Sequence, residues 1–458
     1  MATNADLFAS LGVAQLATRA VIDVYYTTSP LVALHAVSEN LRKTTEKWER
    51  IRALEVNTTA NIGIVNSSTA PAAGRERAIY ATSHALASLM PGLQRLQFSG
   101  SNESTIVRAI CGCLADFYTD QLQYFRSTRA VVLSREQRFS RLQQVSIDYD
   151  SDGLFCIPRM QAGELRQLSM RGMPANHSWR TFAAADDSQE IAFTRLRSLQ
   201  LLYNRVLMDS RDRRPVVHED GHPWALHFPA LETAAIHCTL DVCPVLDYAV
   251  FPARMGALHI EARPAVFRSI SRRGLPTAKR LSLEISRGSD ADSTVFGHLN
   301  KILETARGAE QVALISSDRD LRVVSGDITS RTLTRLEVSG QASVSTMIWL
   351  VGNLPNLTHL ALWGLTLEGS EADVSVPEPG ASKQVAPLST KLARLAISCQ
   401  LGHYTPARVA SVLVSMMIRV PRLATLAAPY PVKERLAGLV QSLAPQFPHL
   451  ATVNLDLC

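Results

Sequence analysis

The chain has 458 residues, 46% of them hydrophobic and 19% charged, which excludes a disordered polymer and exceeds the length over which one compact core keeps growing. Several domains or a repeat array remain. Lys and Arg outnumber Asp and Glu by 47 to 41, a formal charge of +6 with a pI near 9.0, too dilute an excess over this length to mark a nucleic-acid binder by itself.

At the start of the chain no Lys or Arg precedes Arg19, so the charged opening and long apolar run of a secretory signal are missing. The seven cysteines lack paired C-x-x-C spacing and read as buried thiols of a reducing compartment, Cys111-Gly112-Cys113 being the one close pair. The longest nearly uncharged apolar stretch, 409–418, is about half the length that spans a bilayer. These features predict an intracellular protein, cytoplasmic or nuclear, without membrane contact. Asn-x-Ser/Thr triplets beginning at Asn57, Asn66, Asn102, Asn176 and Asn356 are then chance matches. Residues 19–26, RAVIDVYY, are rich in β-branched and aromatic side chains and predict a strand, and Ser29-Pro30 begins a predicted helix carrying Leu31, Leu34, Leu41 and Trp48. Residues 1–48 thus read as an N-terminal capping segment, a partial strand–helix unit.

From 49 to 458 an L-x-x-L-x-L spacing of apolar residues returns fifteen times, starting at Ile51/Leu54/Val56 and ending at Leu450/Val453/Leu455, with a mean step near 28 residues. Between positions 4 and 6 the period is two, so both side chains share one face of a strand while positions 3 and 5 point the other way. Short strands joined by long returns pair in parallel. The turn into the strand repeats as well: MPGL at 90, FPAL at 228, LPNL at 354, VPRL at 420 and FPHL at 447. Proline cannot continue a helix and favours an extended predecessor, so each copy ends a return and starts a strand. Several returns carry helical stripes, among them Ile106/Ile110/Leu114, Phe296/Leu299/Ile302/Leu303, Leu436/Leu439/Val440/Leu443, and Val409/Val412/Leu413/Met416/Met417 behind Thr405-Pro406 as N-cap and first helical residue. Residues 57–74, 204–225 and 368–389 interrupt the pattern as surface loops, the last of them acidic.

Over residues 51–458 these spacings resemble the leucine-rich-repeat proteins, and their irregularity is most similar to the repeat regions of fungal F-box-type proteins. The resemblance implies an α/β solenoid, a horseshoe with a parallel sheet of about fifteen short strands and helical or irregular returns, working as a non-enzymatic protein-binding scaffold that recruits substrates. Two departures stand out. The Asn or Cys expected five residues after the second Leu is present only as Asn204 and Cys458, and no F-box precedes the repeats.

Motifs for chemistry are sparse. No phosphate loop of either glycine-rich kind and no G-x-S-x-G elbow occurs, and the histidines of His218-Glu219-Asp220-Gly221-His222, the one metal-capable cluster in this reading, fall in a Pro- and Gly-punctuated loop. The expectation is therefore no catalytic residue, no metal and no cofactor. Position 3 of successive strands is more informative, placing Arg280, Arg335, His359 and Arg394 in an interrupted cationic line with Trp363 beside it, residue types enriched at binding hot spots. A protein partner on this face is the leading expectation. The alternative, a nucleic-acid-binding repeat protein, draws on Arg263, Arg268, Arg272, Arg273, Lys279 and Arg280, against an aromatic content of 6%. Residues 450–458 complete a motif without a following return, which predicts association through this last repeat.

Overall fold

A computed structural model describes residues 19–25, 50–59, 72–100, 105–128, 138–148, 159–160, 162–174, 190–205, 225–241, 243, 245–246, 249–273, 275–286, 308–316, 322–323, 332–366, 387–399 and 405–457. The protein is α/β, with many short parallel strands and few helices. It divides into two compact units, one of residues 1–231 with 248–251, the other of 232–247 with 252–458.

Among the described residues of the first unit, seven ladder strands and two helices alternate irregularly: β1 (Arg19–Tyr25), β2 (Ala53–Thr59), α1 (Ala72–Leu89), β3 (Arg95–Gly100), α2 (Thr105–Phe117), β4 (Tyr124–Ser127), β5 (Gln144–Asp148), β6 (Gln167–Pro174) and β7 (Ser198–Arg205). Each ladder strand pairs in parallel with the next. The returns add two minor parallel ladders, one joining Arg138–Phe139 to Arg159–Met160 and one joining Glu190–Ala192, Ala225–His227 and Ala249–Val250. Just beyond the latter, Phe193, Phe228 and Phe251 stack successively, with centroids 5.0 and 5.8 Å apart.

The second unit holds β8 (Thr233–Cys238), β9 (Arg254–Ala262), α3 (Pro264–Arg273), β10 (Thr277–Ile285), β11 (Gln311–Ser316), β12 (Arg335–Ser343), α4 (Val344–Asn353), β13 (His359–Thr366), β14 (Arg394–Cys399), α5 (Pro406–Ile418), β15 (Thr425–Ala428), α6 (Tyr430–Leu443) and β16 (Asn454–Leu457). These nine described strands again pair in parallel in chain order, and Arg322–Val323 adds a short parallel pairing with Gln341 and Ala342 of β12.

The apolar spacing sets the register. In fourteen of the fifteen repeats position 4 faces position 4 of its neighbour, as in Leu281↔Val312↔Leu336↔Leu360↔Leu395↔Leu426. Residues at positions 1 and 4 of these repeats are all buried, and covering one such leucine contributes roughly 1.5–3 kcal/mol. A slip of one residue would turn every such side chain to the opposite face. The last repeat departs from the predicted spacing. Leu455, expected at position 6, lies opposite Leu426 and so takes position 4. The 3-10 turn Pro448–Thr452 inserts two residues of chain between the Phe447 turn and the strand. Leu455 is half-buried and Leu457 is 58% exposed.

Backbone bonds repeat with the same regularity. Each X-P-x-L segment closes a turn in which the leucine N–H donates to the carbonyl three residues back: Leu93 to Met90, Leu231 to Phe228, Leu357 to Leu354, Leu423 to Val420 and Leu450 to Phe447. Leu196 to Phe193 is a sixth copy without proline. The carbonyl at position 2 then accepts N–H groups from positions 2 and 3 of the next repeat, as Glu310 does from Thr334 and Arg335, Thr334 from Thr358 and His359, and Thr358 from Ala393 and Arg394.

Of the predicted helices, those carrying Ile106, Val409 and Leu436 are present as α2, α5 and α6. Pro406 opens α5 as expected, but the Thr405 side chain makes no capping bond; the N-cap device is realised instead at α4, where the Thr346 N–H donates to Ser343 Oγ at 3.1 Å. The strand expected at 19–26 is β1, in register with β2. The helix expected after Ser29-Pro30, that around Phe296, the His218–His222 segment and most of the three insertions lie outside the described residues.

This packing carries a prediction at Leu360, which is 1% exposed. Leu360→Ala should destabilise the second unit by about 2–5 kcal/mol in denaturant titration, and Leu360→Asp more, because an unpaired carboxylate there has no water. A soluble Leu360→Asp variant with an unchanged midpoint would contradict the register.

Candidate functional site

The non-leucine face of the second unit is organised in columns fixed by strand register. Position 3 runs Thr233, Ala257, Arg280, Gln311, Arg335, His359, Arg394, Thr425, each paired with the next across the ladder. The four predicted side chains Arg280, Arg335, His359 and Arg394 therefore share one row. With strands about 4.8 Å apart, Arg280 to Arg394 covers about 19 Å. All three arginines are exposed.

Small residues dominate position 5 from β10 onward: Ser282, Ala313, Ala361, Ala396 and Ala427, with Glu337 the one charged exception between β10 and β15. A row that holds three exposed arginines thus borders a low shelf. Position 7 adds Ser339, Trp363 and Ser398 as mutual register partners. Trp363 is 37% exposed and its indole N–H donates to Glu337 Oε1 at 2.9 Å, which holds the ring against the shelf. Directly after it the pairing bulges at Gly364, whose φ of 147° favours glycine, and β12 bulges likewise at Gly340 with φ 158°.

Electrostatics within the row are asymmetric. Arg335 reaches Glu337 two residues along its own strand at 3.9 Å, an exposed pair of little energetic weight. His359 stands between Arg335 and Arg394 in the ladder, and partial burial, followed by repulsion from Arg394 and then Arg335, holds its imidazole below the ordinary value of 6.5. Its Nδ1 lies 2.8 Å from Thr358 Oγ1.

The six basic residues 263–280 do not form one row. Arg263 pairs with Asp241 at 3.4 Å and Lys279 with Glu310 at 3.3 Å, while Arg268 belongs to α3 and Arg280 to β10.

A further group went unread in the sequence. His237, Glu261 and Glu284 occupy position 7 of β8, β9 and β10 as successive register partners, and His259 sits at position 5 of β9 beside them. His237 Nδ1 lies 2.5 Å from Glu261 Oε2, and the two imidazoles are 5.0 Å apart between centroids. Burial, then the neighbouring His237, pushes the His259 imidazole down, whereas Glu261 pulls it up. Burial and then Glu261 raise the Glu284 carboxyl. The His218–His222 segment is therefore not the one metal-capable cluster in the chain, because among the described residues the ladder assembles His237, His259 and Glu261 from β8 and β9. The signal of this cluster in the sequence is His259 at position 5 beside His237 and Glu261 at position 7 of adjacent repeats.

In the first unit the same face is mixed. Arg95 lies over the Tyr124 ring at 5.1 Å, Arg19 pairs with Glu55, and Asp148 faces Arg126 and Arg171, with burial raising its carboxyl and the two arginines lowering it. Among the described residues no helix is long and apolar enough to cross a membrane.

The flanking arginines make a prediction for His359. A histidine with a lowered folded value supports stability fully above its unfolded value, and that support is lost as pH falls through the folded one. In a proton-detected titration His359 should titrate below 6.5, and Arg394→Ala should move it upward. A midpoint at or above the ordinary value, unmoved by Arg394→Ala, would contradict the geometry.

The sequence matches no protein-family model, and no curated protein is similar enough to it to count as a relative.

Proposed function

We propose that the chain is a non-enzymatic protein-binding module, an irregular leucine-rich-repeat solenoid that holds an acidic, extended segment of another protein across the polar face of its second unit. The observation that carries this reading is the single row of Arg280, Arg335, His359 and Arg394 beside a shelf of small residues. Arginines on every second strand, about 9.6 Å apart, can each meet a carboxylate of an acidic peptide laid across the ladder, and Arg offers two parallel donors. Trp363 supplies an aromatic anchor at the row's margin, of the kind that carries much of the energy at protein interfaces. The fifteen leucine spacings and the recurrent X-P-x-L turns support the solenoid reading, in which many short strands display variable residues at fixed intervals. A substrate-recruiting scaffold similar to the repeat regions of F-box-type proteins is the closest role of this kind.

Nucleic acid is the second reading. It has the three exposed arginines in its favour, yet the ion pairs of Arg263 and Lys279 remove two of the six basic side chains on which it drew.

Arg335→Glu combined with Arg394→Glu should leave the thermal transition unchanged, since both side chains are exposed. Binding of the partner should fall about tenfold or more at low salt, an effect shrinking as ionic strength rises. Affinity capture with wild type and double variant, with and without nuclease, followed by quantitative proteomics reads this out. Proteins lost only from the double variant, with nuclease making no difference, support the proposal; an identical captured set, or loss on nuclease treatment alone, overturns it.

A further inference from the structure

The polar face of the second unit carries a second device, distinct in position and chemistry from the cationic row. His237 ends the exposed part of β8, and His259 and Glu261 lie two residues apart on one face of β9. Because His237 pairs with Glu261 in the ladder, one donor atom from each of the three side chains falls within 4.8 Å of the other two. Ligands around a four-coordinate zinc ion, at 2.0 to 2.2 Å from the metal, stand about 3.3 Å from one another, so small rotamer adjustments bring this set to bonding distance. We propose that His237, His259 and Glu261 bind a divalent transition-metal ion, zinc foremost, with a fourth position open to solvent or to a ligand arriving on this face.

Donor chemistry selects the metal class. Two imidazoles and one carboxylate suit zinc and its first-row neighbours, whereas calcium and magnesium take oxygen ligands almost throughout. All three side chains are half-buried, so the ion is reachable from solvent yet partly shielded from competing water. Charge supplies an independent argument. Glu261 and Glu284 are register partners on adjacent strands, and like charges directly opposite one another destabilise a sheet. His237 gives Glu261 one hydrogen-bond partner. The nearby Arg263 is engaged with Asp241. A dication seated on Glu261 offsets the repulsion, and Glu284 then stands beside the open position, where it can orient a bound water. The ion joins β8 to β9 through side chains in addition to the backbone ladder, which ties metal binding to stability of this end of the unit.

The test uses the full chain without a polyhistidine tag, titrated with zinc by calorimetry and with cobalt(II) followed by visible absorption. The expected result is one ion per chain, the intense visible bands of four-coordinate cobalt, and a transition temperature that rises with zinc. Changing groups that merely orient metal ligands costs 10- to 100-fold in affinity, so His259→Gln and Glu261→Gln, which remove ligands themselves, should each cost at least about 100-fold and abolish the thermal shift. Both positions are on the polar face, and circular dichroism establishes that the variants fold. His359→Gln, on the same face but in another part of the ladder, should bind zinc as wild type does. Absence of saturable zinc or cobalt binding, wild-type zinc affinity in either ligand variant, or a sulfur-to-cobalt charge-transfer band showing that thiolates hold the ion would each overturn the proposal.

Discussion

A backbone carbonyl at the second position of a repeat accepts one or two N–H groups from the repeat that follows, and the arrangement of side chains on both faces depends on that recurrent contact. It recurs through Arg52, Gln94, Gln123, Gln143 and Arg166 in the first unit and through Lys279, Glu310, Thr334, Thr358, Ala393 and Ala424 in the second, with one or both donors. Two residues later position 4 enters the core, and the buried column from Leu281 to Leu426 leaves the strands no other register. Hydrogen bonds by themselves would tolerate slippage; the apolar face makes a one-residue slip costly. Return segments of different length are thereby accommodated without disturbing the strands, since only the turn before position 1 has to be rebuilt each time.

With the core face committed to leucine, the other face is free to vary at fixed spacing. In the second unit position 3 carries Arg280, Arg335 and Arg394, position 5 is mostly small from β10 onward, and position 7 holds Trp363 in one stretch and His237, Glu261 and Glu284 in another. The two stretches differ in chemistry, guanidinium groups beside small residues in one and imidazoles with carboxylates in the other. Neither arrangement is local in sequence: His237 and Glu261 are 24 residues apart and meet through the ladder alone. The bulges after Ser339 and Trp363 show where the strict columns relax, at glycines whose backbone no other residue adopts readily.

Much of this was legible from leucines. The spacing of Leu336, Leu360 and Leu395 implies that Arg335, His359 and Arg394 are neighbours, and the ladder places them so. Legibility failed where a signal was too short or was read along one column only. Ladders of two and three residues in the returns carry no period, so the Phe193–Phe228–Phe251 stack had no sequence signature beyond its aromatic rings. The last repeat matched the spacing at Leu450, Val453 and Leu455, but the 3-10 turn Pro448–Thr452 left Val453 as its C-cap and moved Leu455 into position 4, a shift that apolar spacing cannot distinguish from the expected one. His259 and Glu261 were visible as residues, yet their convergence on His237 required columns 5 and 7 to be read together.

Register is the claim on which every other statement rests, and cross-linking between chosen strand positions tests it most directly. Ser282 and Ala313 are register partners at position 5 on the polar face, whereas Val312 points into the core. Adjacent parallel strands place such Cα atoms about 4.8 Å apart, inside the range a disulfide spans. Under mild oxidation the Ser282→Cys/Ala313→Cys protein should form the linked peptide pair in mass spectrometry, and Ser282→Cys/Val312→Cys should not. Cross-linking of the second pair in preference to the first would contradict the account.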